Sequence, residues 1–349
     1  MKKFLFFVLF CAVSTFCKKT VYIVNRDIDL RRANSSKSYS VVRDGIEKMG
    51  YDIFWTHQID QLNQFDILLF HNFSDNINKL KKYPKEKLVL FMWEPPTVLP
   101  NMYKQEVFDC FGKIYTWDDS LVDNKKFFKF HYPQYRKRVE YSVPFDQKKL
   151  AVTVNCNKNS LHPYSLYGER RNVIRFFEDN YPEDFDLYGR GWRAAEFPSY
   201  RGFIGSKLDC IKDYKFCFAY ENMQNVKGYV TEKIFDAFMA GCVPVYWGAE
   251  NIVEYIPKNC FVDRRDFESN EHLYWFLKNM TQQEYEEYLE NIRNFIDSDQ
   301  FILFSKEYYL YTLLQAIKPD YDKSILKQEY FDVVQRVEFF LKEKVCAAQ

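Results

Sequence analysis

Histidine is scarce in this chain, five residues in 349, and glycine is little commoner, at 11. So few histidines leave little material for a histidine-based metal or catalytic centre. The nine cysteines form no C-x-x-C pair and no Cys/His cluster, which excludes a zinc ligand set and a disulfide scaffold. Cysteines 156, 217, 242 and 260 lie in or beside apolar runs, where a thiol behaves as a small hydrophobe. No G-x-G-x-x-G and no G-x-x-x-x-G-K-[ST] occurs, so neither a dinucleotide fingerprint nor a P-loop is available. A net charge of +1 supplies no basic excess for phosphate backbones and excludes a general nucleic-acid binder. Long apolar runs are also missing. Lys2 and Lys3 precede an apolar stretch from Phe4 to Val13, short of the ~20 residues a membrane-spanning helix needs. Residues 1–18 therefore read as a signal or anchor-like segment, with a buried first strand as the alternative.

What is present describes a folded protein. Hydrophobic residues make up 47% and charged residues 28%, and the length suits two domains. Aromatics reach 19%; core filling explains most of them, a sugar-binding cleft being the sharper reading. From residue 19 to 148 short apolar runs alternate with helical patterns: TVYIVN, YDIFWT, FDILLFHNF, KLVLFMW and KIYTW as strands, SYSVVRDGIEKMG as a helix. A second alternating series occupies residues 149–320, from LAVTVNC through the helix YGERRNVIRFFEDN to FDLYGRGW and beyond, with helical segments at 282–297 and 303–317. Residues 321–349 form a terminal helix, its apolar stripe Leu326, Tyr330, Val333, Val337, Phe340 and Leu341 at helical spacing. Alternating strand and helix predict parallel sheets. The fold class is α/β, of GT-B type: two Rossmann-like domains facing across a cleft.

The chemistry concentrates between Tyr214 and Gly248. An aromatic strand, a polar loop, a helix that Thr231 is placed to cap, and a second strand containing Pro244 make a βαβ unit. Lys233 lies in the first helical turn, where side chain and helix dipole together favour a phosphate. Glu221 and Glu232 flank the same loop, as hydrogen-bond partners for sugar hydroxyls or as balance for the lysines. Arg170, Arg171 and Arg175 share one helix. Arginine forks suit diphosphate oxygens; a solvated charged face is the alternative. Glu94, at the end of the strand in FMWEPP, is a candidate general base, or else a solvated loop glutamate. Asp118 and Asp119 read as a helix N-cap and its neighbour.

FCFAYEN (Phe216 to Asn222), GYVTEK (Gly228 to Lys233) and VPVYWG (Val243 to Gly248) together resemble the donor-binding motif of the α1,3/α1,4-fucosyltransferases, glycosyltransferase family 10. Fainter likenesses extend over residues 60–275, in Glu94, Asn155–Cys156, Arg171 and the turn Tyr188–Gly189–Arg190. The resemblance implies an inverting transfer of L-fucose from GDP-fucose to a glycan hydroxyl, O3 of GlcNAc or a similar sugar. It needs no metal and no cofactor beyond the donor. Glu94 is then the base, Arg171 and Lys233 stabilise departing GDP, with Arg170 and Arg175 competing for the arginine role. Asn222, Tyr229 and Thr231 line the donor pocket, and Glu232 holds ribose or fucose hydroxyls. Acceptors in such a family are oligosaccharides, glycoproteins or lipopolysaccharide. Membrane association through the N-terminus is expected, at the cytoplasmic face of the inner membrane in a bacterium or in the Golgi of a eukaryote. The rivals are a GT-B transferase using another nucleotide sugar and an inactive glycan-binding relative.

Overall fold

The structure is a computed structural model that describes residues 18–25, 37–134, 139, 143–322, 324 and 328–347. Most of the leader-like segment thus lies outside the described residues. Six strands, β1 (Lys19–Val24), β2 (Tyr51–Thr56), β3 (Ile67–His71), β4 (Leu88–Met92), β5 (Lys113–Thr116) and β6 (Phe127–Lys129), pair in parallel in the order β2-β1-β3-β4-β5-β6. The central strand β4, LVLFM, is buried at every position, as a parallel strand covered on both faces must be. Helix α1 (Lys37–Lys48) lies against this sheet.

The second sheet is also wholly parallel. It comprises β7 (Lys149–Val154), β8 (Phe185–Tyr188), β9 (Tyr214–Tyr220), β10 (Val243–Trp247) and β11 (Val262–Asp263), in the order β11-β10-β9-β7-β8. Its connecting helices are α2 (Tyr167–Asn180), α3 (Lys207–Ile211) and α4 (Glu232–Met239). Pro244 is accommodated at the strand start, because β11 meets β10 only from Val245 onward. Helices α5 (Asn270–Asn279), α6 (Gln282–Ile296), α7 (Lys306–Ile317) and α8 (Gln328–Ala347) complete the chain. Among the described residues no helix is long and apolar enough to cross a membrane.

Helix α7 departs from the sequence expectation, which places it with the second series. Its Tyr309, Leu310, Leu313 and Leu314 are buried with Val42 and Ile46 of α1 and with Val89 and Phe91 of β4, in the first domain's core. Burying each such side chain contributes ~1.5–3 kcal/mol, and that gain fixes where the helix docks. The chain then returns, and Val337 of α8 is buried with Phe235 and Phe238 of the second domain. Leu326 and the side chain of Tyr330, expected on the same stripe, lie outside the described residues.

The domains are also pinned at one polar node. Asp119 accepts from Lys129 at 2.5 Å, from the Tyr255 hydroxyl at 2.6 Å and from Asn251 at 3.0 Å. The expectation that Asp119 merely neighbours an N-cap is thereby corrected: the first-domain carboxylate binds two side chains of the second domain. Asp118 holds a local turn, accepting from the Ser120 amide. Gly228 lies beside this node with φ +81°, and a Cβ there would stand 2.3 Å from the Trp117 carbonyl. No other residue fits so close an approach at positive φ.

Candidate active site

Both parallel sheets turn the carboxyl ends of their strands toward the cleft, where ligands of such sheets bind. On the second domain's side, β9 delivers Glu221 to a fully buried position. Its carboxylate accepts from the Thr231 amide at 2.8 Å, from the Thr231 hydroxyl at 2.7 Å and from Lys233 Nζ at 3.0 Å. Thr231 does stand at the N-cap of α4, but its side chain makes no capping hydrogen bond. The hydroxyl is spent on Glu221, so it does not cover the amides of the first helical turn. Burial opposes the charge of Lys233, yet Glu221 and Glu232 outweigh it and hold its pKa up at about 12. The Glu232 side chain is about half exposed; what burial it has opposes its charge, but Lys233 and Lys207 push its carboxyl down to about 2. Both groups are therefore ionised at neutral pH.

Asn222 follows Glu221. Its Oδ1 accepts from Arg170 Nη2 at 3.0 Å and its Nδ2 donates to the Tyr229 hydroxyl at 3.2 Å. The Tyr229 ring packs against two residues of the first domain, Trp117 at 4.6 Å and Tyr132 at 6.1 Å. Burial raises its phenol pKa well above the ordinary value, so it stays protonated.

The three arginines separate sharply. Arg170 is buried, donates to the Tyr220 carbonyl at 2.7 Å and lines the cavity in front of α4. Arg171, to which the sequence reading assigns the diphosphate, instead braces the loop after β7: it donates to Asn157 Oδ1, the Lys158 carbonyl and Asn159 Oδ1 at 3.2, 2.9 and 3.1 Å. Arg175 pairs with Glu178 at 2.7 Å and covers the Phe197 ring. Helical geometry is the reason. Tyr167, Arg170, Val173, Ile174 and Phe177 share the buried stripe of α2, whereas Arg171 and Arg175 lie off it. The apolar spacing around Arg170 was a usable signal for this.

Glu94 leaves the end of β4 from the opposite wall. Asn72, at φ +63°, accepts with Oδ1 from the Trp93 and Glu94 amides at 2.8 and 2.9 Å, and the Tyr103 hydroxyl donates to the Glu94 carbonyl at 2.9 Å. Two cavities meet at this residue. One, of about 450 Å³, is lined by Glu94 and by Arg170, Asn222, Tyr229, Thr231, Glu232 and Lys233. The other, of about 320 Å³, lies along the carboxyl edge of the first sheet, lined by His57, His71, Asn72, Ser74 and Asp75 besides Glu94. Only Glu94 and Lys158 belong to both linings. Burial lowers the pKa of His71 to about 4, and its Nε2 lies 3.0 Å from the Tyr309 hydroxyl of α7.

Several wall residues escape the sequence reading: Lys158, Tyr167, Lys207 and the histidines. Lys207 is held by buried Asp236 at 2.7 Å. The larger cavity also exposes unmet hydrogen-bonding capacity. Trp93 Nε1, Asn155 Oδ1, the Tyr167 hydroxyl and Arg170 Nε are buried without a partner among the described residues, and all four residues line it. Buried polar atoms are rarely left so, and a cluster of them around one cavity marks a ligand site. Asn155 is set there by Gly189, where a Cβ would lie 1.7 Å from the Asn155 carbonyl. Among the described residues no group of three or more His, Cys, Asp and Glu is placed to hold a metal ion.

Residues 145–317 match the family model described as glycosyltransferase family 10 (fucosyltransferase), C-terminal. The chain is 39% identical over 74 residues to an α-(1,4)-fucosyltransferase of Arabidopsis thaliana, covering 21% of this chain and 18% of that enzyme. It is 33% identical over 75 residues to an α-(1,3)-fucosyltransferase of Helicobacter pylori, covering 22% and 16%. With 4-galactosyl-N-acetylglucosaminide 3-α-L-fucosyltransferase 9 of Mus musculus it shares 33% identity over 141 residues, 40% of this chain and 34% of the relative. The matched stretches thus span between 16% and 34% of these relatives' lengths. The fold is shared more widely. A crystal structure of an α1,3-fucosyltransferase superposes with a TM-score of 0.60 at 17% identity, over 86% of this chain and 90% of the other. A structure of an α1,3-fucosyltransferase with GDP-fucose superposes with a TM-score of 0.57 at 17% identity, over 87% and 92%. Motif, family model and relatives agree, and the chain belongs to glycosyltransferase family 10, the fucosyltransferase family.

Proposed function

We propose that this protein transfers L-fucose from GDP-fucose to a hydroxyl of a glycan acceptor, O3 of GlcNAc or a similar sugar, with inversion at the anomeric carbon. The observation that carries the reading is the position of Glu94 in the lining of both cavities. The donor occupies the larger cavity and the acceptor sugar the smaller. The acceptor oxygen attacks the anomeric carbon of fucose as Glu94 takes its proton, and the bond from that carbon to the β-phosphate oxygen breaks on the opposite face. Arg170, in place of Arg171, and Lys233 meet the charge that develops on GDP. Asn222 orients Arg170, Tyr229 closes the pocket between the domains, and Thr231 and Glu221 hold Lys233 in place. Glu232 takes sugar hydroxyls.

Support for the donor comes from the relatives' names and from the GDP-fucose complex of a neighbour with this fold. The proposed acceptor follows the name of the mouse relative. The test is transfer of labelled fucose from GDP-fucose to lactosamine, chitobiose and lipopolysaccharide-type acceptors, with the product linkage and anomeric configuration determined. Transfer from UDP-sugars alone overturns the donor. Excess EDTA is expected to leave the rate unchanged, since no step of this chemistry calls on a metal. Membrane attachment through residues 1–18 is part of the proposal, and deleting them is expected to move the protein to the soluble fraction.

A further inference from the structure

The cations around the larger cavity differ in how their charge is met. Lys233 faces Glu221 at 3.0 Å and Glu232 at 3.4 Å, and Lys207 faces Asp236 at 2.7 Å. Arg170 is only 5% exposed, yet among the described residues its hydrogen-bond partners are neutral oxygens, the Tyr220 carbonyl and Asn222 Oδ1, and its Nε has none. One turn earlier on the same buried stripe, the Tyr167 side chain is 3% exposed and its hydroxyl is also unpartnered. The Arg170 guanidinium sits over the Tyr167 ring, 5.0 Å from its centroid. A buried hydroxyl without a partner is destabilising, and a buried guanidinium whose hydrogen-bond partners are all neutral is only partly compensated, by Glu221 and Glu232 acting through space. The two costs arise side by side, at one cavity wall. Burial also raises the Tyr167 pKa, so the phenol remains a donor. Two donors, one of them cationic, suit an oxyanion, to which a charged donor binds more strongly than to a neutral sugar hydroxyl.

We propose that Tyr167 is a ligand-binding residue of the donor site, its hydroxyl donating to a phosphate oxygen of the bound nucleotide that Arg170 Nε also engages. The inference rests on the nucleotide-sugar reading above. Tyr167→Phe removes the hydroxyl and keeps the ring, so it discriminates a ligand contact from a structural one. GDP and UDP are titrated into wild type, Tyr167→Phe, Arg170→Ala and the double variant, and the ligand-free melting temperature of each is recorded. Tyr167→Phe is expected to weaken GDP binding roughly 10-fold or more, as a lost hydrogen bond to a charged group does, while its ligand-free melting temperature stays level or rises slightly. The double variant should lose less than the product of the two single losses, because both side chains serve one oxygen. Wild type that binds UDP and not GDP removes the GDP-fucose reading, and Tyr167 is then judged by the same ratios for UDP. The proposal is overturned if Tyr167→Phe binds the preferred nucleotide as wild type does. It is overturned equally if its ligand-free melting temperature falls by several degrees, if the two losses multiply in full, or if wild type binds neither nucleotide.

Discussion

The two walls of the cleft are held in opposite ways. On the second domain's wall, ionised side chains are anchored by one another: Glu221 is completely buried and binds Thr231 and Lys233 together. On the first domain's wall the charges are few, and the backbone of Glu94 is fixed by neutral groups, Asn72 and Tyr103. His71 beneath it is kept neutral by burial. A wall that grips a diphosphate needs fixed cations, and these stay in place only if carboxylates balance most of them. A wall that carries a base needs a carboxylate whose backbone is held in position. Under the proposed function, the difference between the walls is the difference between holding a leaving group and receiving a proton.

Variants can break this contrast from either side. The largest effect is expected at Glu94: Glu94→Gln should lower transfer by ~10²–10⁴-fold, the usual worth of a general base, while GDP affinity stays within about twofold by titration calorimetry. Next comes Glu221→Ala. It leaves Lys233 charged without its buried partner and should cost ~3–5 kcal/mol in urea denaturation, with Glu221→Ala/Lys233→Met recovering part of the loss. His71 sharpens the comparison through pH. Its folded pKa, about 4, lies below the ordinary 6.5, so the unfolded chain binds the proton more tightly. The stability it contributes is complete above pH 6.5 and is lost as pH falls toward 4, up to about 3 kcal/mol. His71→Gln should flatten that part of the stability profile. The smallest effect separates neighbouring arginines: Arg170→Ala should weaken GDP binding ~10–100-fold, a charged hydrogen bond's worth. Arg171→Ala should change it less than about twofold.

Much of the framework was readable in the residues. The helix α2 was expected where it stands, and the βαβ unit from Tyr214 to Trp247 follows its strand, loop and helix patterns. The three-residue strand β6 was not, since no period can be detected over three residues. Thr231 stands at the expected N-cap, but a buried carboxylate competes for its hydroxyl and wins. Asp119 illustrates the same limit: its partners Asn251 and Tyr255 are more than 130 residues away in sequence, and no local pattern connects them.

By itself the sequence determined the local geometry of the second domain's wall, because Glu221 to Lys233 form one strand–loop–helix turn whose spacing and residue types carry that geometry with them. Tertiary structure alone decided three other matters. It turned Arg170 inward and Arg171 toward the β7 loop, since only Arg170 shares the stripe that packs on the sheet. It lodged α7 in the first domain, where its leucines find apolar partners. And it assembled the second cavity at Glu94 from the ends of β1 to β4, residues brought together by strand order and not by any neighbourhood in the chain.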